Sequence, residues 1–259
     1  MLQIGKVEKV IYELREEHPL VIPQLDPDKN TVEQGNKWFR QVKDIGIKLI
    51  AVGGSTIDAV NTQRLLDMAV NDYDFLVLLY LTANINAIKG KAGRTAAYWM
   101  QVPNALNTLY NWDGLISNSM QMEKKELEAL PTVYVFDDRG SVGTANWITR
   151  SNPIPKDKPE LSLAVAKAAQ FLGIRFYVMA GGSGSASPPP TSHIERLAEH
   201  TQLFVIPTSG INTVANAKAL FAAGADAIHV GNRLEQDGGF KELDGMYAAA
   251  KEYPGRKFL

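Results

Sequence analysis

Short apolar segments recur along the chain, and each is followed by a polar or glycine-rich turn and then by a helix-like spacing of apolar residues. Eight such runs are present, at 20–23, 48–52, 75–81, 96–102, 132–136, 175–180, 203–207 and 227–230. The runs are apolar throughout rather than alternating, which is typical of parallel strands covered by helices. Helical spacing follows at 32–42, 58–70, 161–172, 194–200 and 214–223.

Eight strand-and-helix units predict a closed (β/α)8 barrel, the TIM-barrel fold, rather than the alternative of an open doubly wound sheet. We expect one domain over residues 1–259, because no change in composition or block of charge divides the chain. The connection 82–95 lacks an amphipathic period, so we expect one wall helix to be missing between strands 3 and 4. The resulting slot would either admit a long apolar ligand or be filled by a neighbouring subunit, which would make the protein a homodimer.

Charge and cysteine content exclude several classes of function. The 27 basic and 28 acidic side chains leave a net charge of −1, which argues against nucleic-acid binding. The absence of cysteine excludes a thiolate nucleophile, an iron–sulfur cluster and a cysteine zinc site. No apolar segment is long enough to cross a bilayer and no leader pattern is present, so we expect a cytoplasmic protein. Any catalysis must use oxygen, nitrogen or a hard metal.

Two of the turns at strand ends predict a metal and a diphosphate site. Asp26 and Asp28 flank a proline after the first run, and carboxylates so placed suit Mg2+, although a simple polar turn is the alternative. Gly54, Ser55 and Thr56 follow the second run, where glycine and a helix N-terminus would approach an anion closely. An ordinary N-cap is the alternative there.

Small residues after the sixth, seventh and eighth runs predict a phosphate cradle, because the last loops of such barrels commonly bind phosphate through backbone amides. The predicted phosphate-binding residues are Gly181, Gly182, Ser183, Gly184, Ser209, Gly210, Gly231 and Asn232. The four histidines show no metal-ligand spacing and we interpret each as structural; no Ser-His-Asp ordering is present.

Several segments in order resemble the geranylgeranylglyceryl phosphate synthase family, which includes the bacterial PcrB proteins. They are LDPDK at 25–29, VGGS at 52–55, VYV at 133–135, IPKDKPEL at 154–161, the turn 177–184, and AGADAI at 223–228 leading to Gly231-Asn232. The resemblance implies a Mg2+-dependent prenyltransferase that joins a prenyl diphosphate to a hydroxyl of a phosphorylated three-carbon acceptor. It also implies a groove for the prenyl chain where the wall helix is replaced.

The resemblance assigns roles residue by residue. Asp26 would bind Mg2+, with Ser55 helping at the metal and, together with Gly54 and Thr56, at the donor diphosphate. The small residues after strands 6 to 8 would hold the acceptor phosphate. Either Tyr177 or the released diphosphate would take the hydroxyl proton.

Departures from the family pattern bear on the acceptor. Gln24 stands where the family has lysine, and Met179 where it has a glutamate that binds glycerol hydroxyls. Loss of that carboxylate favours an acceptor with its own carboxylate, so we expect 3-phosphoglycerate, as in moenomycin-type farnesyltransferases, with Lys91, Arg94 or Arg150 as its partner. The alternatives are glycerol 1-phosphate, with Met179 merely displaced by a longer turn, a sugar-phosphate isomerase or lyase, and a non-catalytic phosphate-binding barrel.

Overall fold

Eight parallel strands close into a barrel in chain order in the computed structural model, which describes residues 4–54, 58–80, 88–140 and 142–258. The first strand, Leu20–Leu25, pairs with both the second, Leu49–Val52, and the eighth, Ala227–Val230, so the sheet has no free edge. The predicted TIM barrel is therefore confirmed. The strands are β1 Leu20–Leu25, β2 Leu49–Val52, β3 Leu76–Leu79, β4 Thr95–Gln101, β5 Glu128–Phe136, β6 Phe176–Ala180, β7 Phe204–Thr208 and β8 Ala227–Val230.

The described helices surround this barrel, and all five predicted helical segments are helical within one turn of the expected bounds. Four further described helices, at 6–15, 112–124, 144–149 and 239–250, were not predicted. The helices are α1 Lys6–Arg15, α2 Val32–Ile45, α3 Ala59–Asn71, α4 Trp112–Lys124, α5 Thr144–Thr149, α6 Pro159–Phe171, α7 Thr191–His200, α8 Val214–Ala222 and α9 Gly239–Ala250.

Local signals fix the start of α2, and with it the length of the loop that follows β1. Thr31 accepts a hydrogen bond from the amide of Gln34, whose side chain accepts in return from the amide of Thr31. This capping box satisfies two amides that the first turn would leave unpaired. Trp38, Phe39 and Val42 then bury one face of α2 in the layer between barrel and helices.

The strands separate two apolar layers, one inside the barrel and one beneath the helices. Alternation along β6 shows the division: Phe176 and Val178 belong to the interior cluster, whereas Tyr177 and Met179 belong to the cluster under the helices. Successive side chains of a strand point to opposite faces, so only alternate residues of each strand can reach a pocket at the barrel mouth.

The connection between β3 and β4 is only partly described. Residues 82–87 of the predicted slot lie outside the described residues, and residues 88–94 contain no helix before β4 begins at Thr95. Ile88 is fully buried against the outer core. None of the described helices is long and apolar enough to cross a membrane.

Candidate active site

A pocket of about 340 Å³ lies at the carboxyl ends of the strands, where active sites of such barrels are built. It brings together the ends of β1 and β2 with the loops after β6, β7 and β8. Nearly all of the predicted site residues that the structure describes line it: Asp26, Gly54, Gly182, Ser183, Gly184, Ser209, Gly210, Gly231 and Asn232. Ser55 and Thr56 lie outside the described residues.

Asp26 and Gly54 form one wall of this pocket. A Cβ atom on residue 54 would lie 2.6 Å from Oδ1 of Asp26, so a larger residue there would displace the carboxylate. Burial raises the pKa of Asp26, against a hydrogen bond from the amide of Asp28 and the charge of Lys29, whose Nζ is 3.6 Å from Oδ2. The carboxylate is thus partly desolvated and only weakly neutralised, which favours binding of a cation.

These residues fit a magnesium ion that is completed by substrate oxygens. Among the described residues, no cluster of three or more carboxylates or histidines could hold a metal by itself. Mg2+ in phosphate-processing enzymes usually takes one or two carboxylates and fills its other positions with phosphate oxygens and water. Two carboxylates, Asp26 and Glu235, line the pocket, and this is the small number of protein ligands that such a magnesium ion needs.

The opposite wall consists of the loops after β6, β7 and β8, and it presents backbone amides. In the described part of the chain, the amides of Ser183, Gly184, Gly210 and Asn232 donate no hydrogen bond. The side chain of Asn232 donates to Oγ of Ser183 at 3.1 Å, which connects the first and third of these loops. Converging unpaired amides form an anion site, so this wall suits a phosphate group.

Arg139 organises this wall, although the sequence analysis did not single it out. Its guanidinium makes two 2.7 Å hydrogen bonds to Asp137 and further ones to the carbonyls of Ser187, Thr208 and Ser209. Both charged side chains are almost completely buried. Because its donors are used within the protein, Arg139 fixes the loops after β5, β6 and β7 rather than binding an anion itself.

Three predictions about β6 need correction. Tyr177 is fully buried in the outer layer, outside the pocket, so it is not in position to accept a substrate proton. Met179 faces the same layer, and the argument that it selects an acceptor carboxylate therefore loses its structural basis. Gly181 does not line the pocket either; a Cβ there would lie 2.4 Å from the side chain of Arg139. The glycine instead gives room to the residue that holds the wall.

The candidate partners of an acceptor carboxylate are also placed elsewhere. Lys91 donates to Asn71 and Arg94 pairs with Asp74, both at the β3–β4 side of the barrel. Arg150 is exposed at the end of α5. None of the three lines the pocket.

His229 was interpreted as structural, but the structure places it at the floor of the pocket. It lies there with Tyr80 and Tyr134, and its Nε2 is 2.6 Å from Oη of Tyr98. Burial lowers the pKa of His229 to about 3, so the imidazole is neutral. Its place in the sequence could have revealed this position. His229 lies near the end of the eighth strand, two residues before Gly231, and alternation along a strand sends every second side chain into the barrel.

A closed parallel barrel with a wall of unpaired amides on its last three loops, and an aspartate opposite at the end of β1, is a (β/α)8 barrel of the kind whose last loops commonly bind phosphate. Within that class, the chain belongs to the PcrB family, whose sequence profile matches residues 12–252. The resemblance inferred from the sequence is therefore confirmed.

Relatives of known name cover nearly the whole chain. Geranylgeranylglyceryl phosphate synthase of Methanosphaera stadtmanae is 30% identical over 246 residues, which are 95% of this chain and 97% of the relative. The enzyme of the same name from Pyrococcus furiosus is 29% identical over 241 residues, 93% and 94% of the two chains. The structure of (S)-3-O-geranylgeranylglyceryl phosphate synthase from Thermoplasma acidophilum, solved with sn-glycerol-1-phosphate, has a TM-score of 0.87 at 23% identity, covers 96% of this chain and all of that one, and supports the fold.

Proposed function

We propose that this protein transfers a prenyl group from a prenyl diphosphate to a hydroxyl of sn-glycerol 1-phosphate, forming an ether. The observation that carries the proposal is the pairing, across one pocket, of the Asp26 carboxylate with a wall of unpaired amides. Family membership and the shared name of the relatives support the same activity. Glycerol 1-phosphate takes precedence over 3-phosphoglycerate because Met179 faces away from the pocket.

The two walls divide the substrates between them. The acceptor phosphate binds the amides of Ser183, Gly184, Gly210 and Asn232. The donor diphosphate lies at Asp26 and Gly54, where Mg2+, when bound, supplies positive charge to the leaving group. Ser55 and Thr56 remain predicted donor contacts.

The reaction needs no covalent intermediate with the protein. The acceptor hydroxyl oxygen attacks the first carbon of the prenyl chain, and the bond from that carbon to the diphosphate oxygen breaks, with its electron pair leaving on diphosphate. The hydroxyl proton passes to the released diphosphate, since Tyr177 lies outside the pocket. Binding both substrates in one pocket supplies much of the catalysis by fixing the two reacting atoms close together.

The apolar part of the pocket is the proposed start of the prenyl site. Met100, Val102 and Phe136 line the side of the pocket formed by the ends of β4 and β5. These apolar side chains can contact a hydrocarbon chain and offer no hydrogen-bond donor to a phosphate.

Incubation with an acceptor panel tests the proposal. The protein is mixed with farnesyl or geranylgeranyl diphosphate and Mg2+, with glycerol 1-phosphate or 3-phosphoglycerate, and products are identified by mass spectrometry with and without a chelator. An ether of glycerol 1-phosphate that requires Mg2+ supports the proposal. A product with 3-phosphoglycerate alone would replace the acceptor, and binding of acceptors without any product would indicate a non-catalytic phosphate-binding barrel.

A homodimer is part of the proposal, with α4 as its interface. Trp112, Ile116 and Met120 are spaced four residues apart and are all exposed, so they form one apolar row on α4. Such a row is what an isologous dimer interface buries. The cytoplasmic location stays a prediction from the sequence.

A further inference from the structure

Four aromatic rings meet at the floor of the pocket and bring buried polar atoms together. Tyr80 lies with its ring centroid 4.9 Å from that of Tyr98 and 5.3 Å from that of His229, and Tyr134 lies 6.3 Å from Tyr80. Tyr80 and His229 are 8% and 1% exposed. Burying polar atoms without hydrogen bonds is less favourable than burying apolar ones, so these atoms are expected to have a hydrogen-bond partner.

The contact with Tyr98 defines the tautomer of His229. Oη of Tyr98 is 2.6 Å from Nε2 of the histidine and makes no other hydrogen bond among the described residues. If the phenol donates, only Nδ1–H of His229 is left without a partner. If Nε2 donated instead, both the phenol hydrogen and Nδ1 would be left unpaired. Nδ1 therefore carries the proton and is a donor.

Two donors at this floor have no acceptor among the residues that the structure describes. Oη of Tyr80 and Nδ1 of His229 are buried and have no hydrogen-bond partner within the described residues, and both residues line the pocket. Leaving such a group buried and unpaired destabilises the protein. A ligand oxygen that reached both would remove that penalty, which would make binding selective for the oxygen.

The floor adjoins the wall of unpaired amides along the chain. His229 lies in β8, which ends at Val230, and Asn232 follows two residues after that end; His229 and Asn232 line the same pocket. A ligand whose phosphate binds the amides can therefore extend within this pocket towards His229.

Resting on the proposed function, we propose that Nδ1–H of His229 and O–H of Tyr80 bind an oxygen at the non-phosphate end of the acceptor. The oxygen is a glycerol hydroxyl or, with the other candidate acceptor, a carboxylate oxygen. The two residues position the acceptor and give specificity for an oxygen-bearing carbon. They do not remove its proton, because both groups donate.

The chain offers a matched set of variants. Tyr80→Phe removes one donor and leaves the ring. His229→Gln places an amide towards Tyr98 and loses the Nδ1 donor, whereas His229→Asn keeps a donor near the Nδ1 position. Tyr247→Phe is a control for loss of a phenol, since its hydroxyl bonds Gly46 on the outer surface.

Calorimetric titration tests the proposal without requiring turnover. Wild type and variants are titrated with glycerol 1-phosphate, 3-phosphoglycerate, 3-hydroxypropyl phosphate, which lacks the C2 oxygen, and inorganic phosphate. We expect Tyr80→Phe and His229→Gln each to weaken binding of one oxygen-bearing acceptor about tenfold, with phosphate affinity unchanged. His229→Asn and Tyr247→Phe should bind like wild type.

The pattern across ligands decides between outcomes. If the donor-loss variants bind glycerol 1-phosphate more weakly, the oxygen is a hydroxyl; if they bind 3-phosphoglycerate more weakly, it is a carboxylate oxygen. The affinity for 3-hydroxypropyl phosphate should fall less than the affinity for that acceptor. Equal affinities in wild type and in both donor-loss variants would overturn the proposal. So would an equal loss for inorganic phosphate, which would indicate a general change of the pocket. A selective loss without any prenyl product would refute the proposed function and retain the acceptor site.

Discussion

Gly210 lies directly against the main chain of Ser187, and a Cβ atom at residue 210 would be 2.0 Å from the carbonyl oxygen of Ser187. The glycine also has a φ of +68°, a conformation that L side chains rarely adopt. The contact brings the loop after β7 against the loop after β6. Both the space and the backbone conformation of the proposed phosphate wall, formed by the amides of Ser183, Gly184, Gly210 and Asn232, therefore depend on this glycine.

Gly210→Ala is therefore expected to move the phosphate wall, and steady-state kinetics should show an acceptor KM raised by about tenfold or more. Gly140→Ala is the matched control, because Gly140 has a φ of +75° with nothing within 4 Å of a Cβ. The control should lose only about 1 kcal/mol of stability and keep its KM. Equal acceptor KM values in both variants would show that the contact with Ser187 is unimportant.

Much of the fold follows from the sequence because parallel strands and their helices have strong patterns. The predicted eighth strand, 227–230, has the observed bounds, whereas β5 begins at Glu128, four residues earlier than expected. The extra residues pair with β4, a partner distant in sequence, and local composition does not reveal such pairing. Helix α4 was missed because it buries only Gly114 and Met122 and exposes an apolar row.

Site residues in the turns after the strands were predictable from the sequence. Which side chains within a strand face the pocket was not. Asp26 and the glycine-rich turns were found because carboxyl ends of parallel strands meet at one side of the barrel. The run that contains Tyr177 is apolar on both faces, so sequence alone could not show that this side chain faces the helices. Arg139 was missed because its partners, apart from Asp137, lie about 50 to 70 residues away.

The buried pair of Arg139 and Asp137 should be essential for stability as well as for the wall. Arg139→Ala leaves the carboxylate buried without a partner, and we expect a loss of about 3–5 kcal/mol in the free energy of unfolding. The double variant Arg139→Met with Asp137→Leu removes both charges and should recover part of that loss. Urea unfolding of wild type, the single and the double variant measures this; a single variant as stable as wild type would show that the pair is dispensable.

Burial of neutral His229 should make stability depend on pH. Its folded pKa of about 3 lies below the ordinary value of 6.5, so below pH 6.5 the unfolded chain takes up a proton that the folded chain does not. This contribution is complete above pH 6.5 and falls as pH is lowered, by about 2 kcal/mol at about pH 5.

Urea unfolding near pH 7.5 and near pH 5 isolates the effect when wild type is compared with His229→Gln, because other titrating groups are common to both. The wild type should lose about 2 kcal/mol more than the variant on acidification. The same loss in both proteins would mean that His229 can be protonated in the folded state.

The apolar row on α4 predicts a dimer that a single charge disrupts. Ile116→Lys should convert the dimer to a monomer in light scattering after size exclusion, because a lysine at the centre of an apolar interface is desolvated without a partner. Gln121→Lys, on the same helix but on a different face from the row, should leave the dimer intact. A monomeric wild type would contradict the proposed interface.

The central claim is that this pocket transfers a prenyl group with Asp26 at the donor side. Its most direct test is transfer of radiolabel from glycerol 1-phosphate into organic-extractable product, measured for wild type, Asp26→Asn and the control Asp113→Asn, whose side chain lies in the first turn of α4 away from the pocket. We expect product with wild type and Asp113→Asn and at least about a 100-fold lower rate with Asp26→Asn. No product with the wild type, or equal rates in wild type and Asp26→Asn, would contradict the claim.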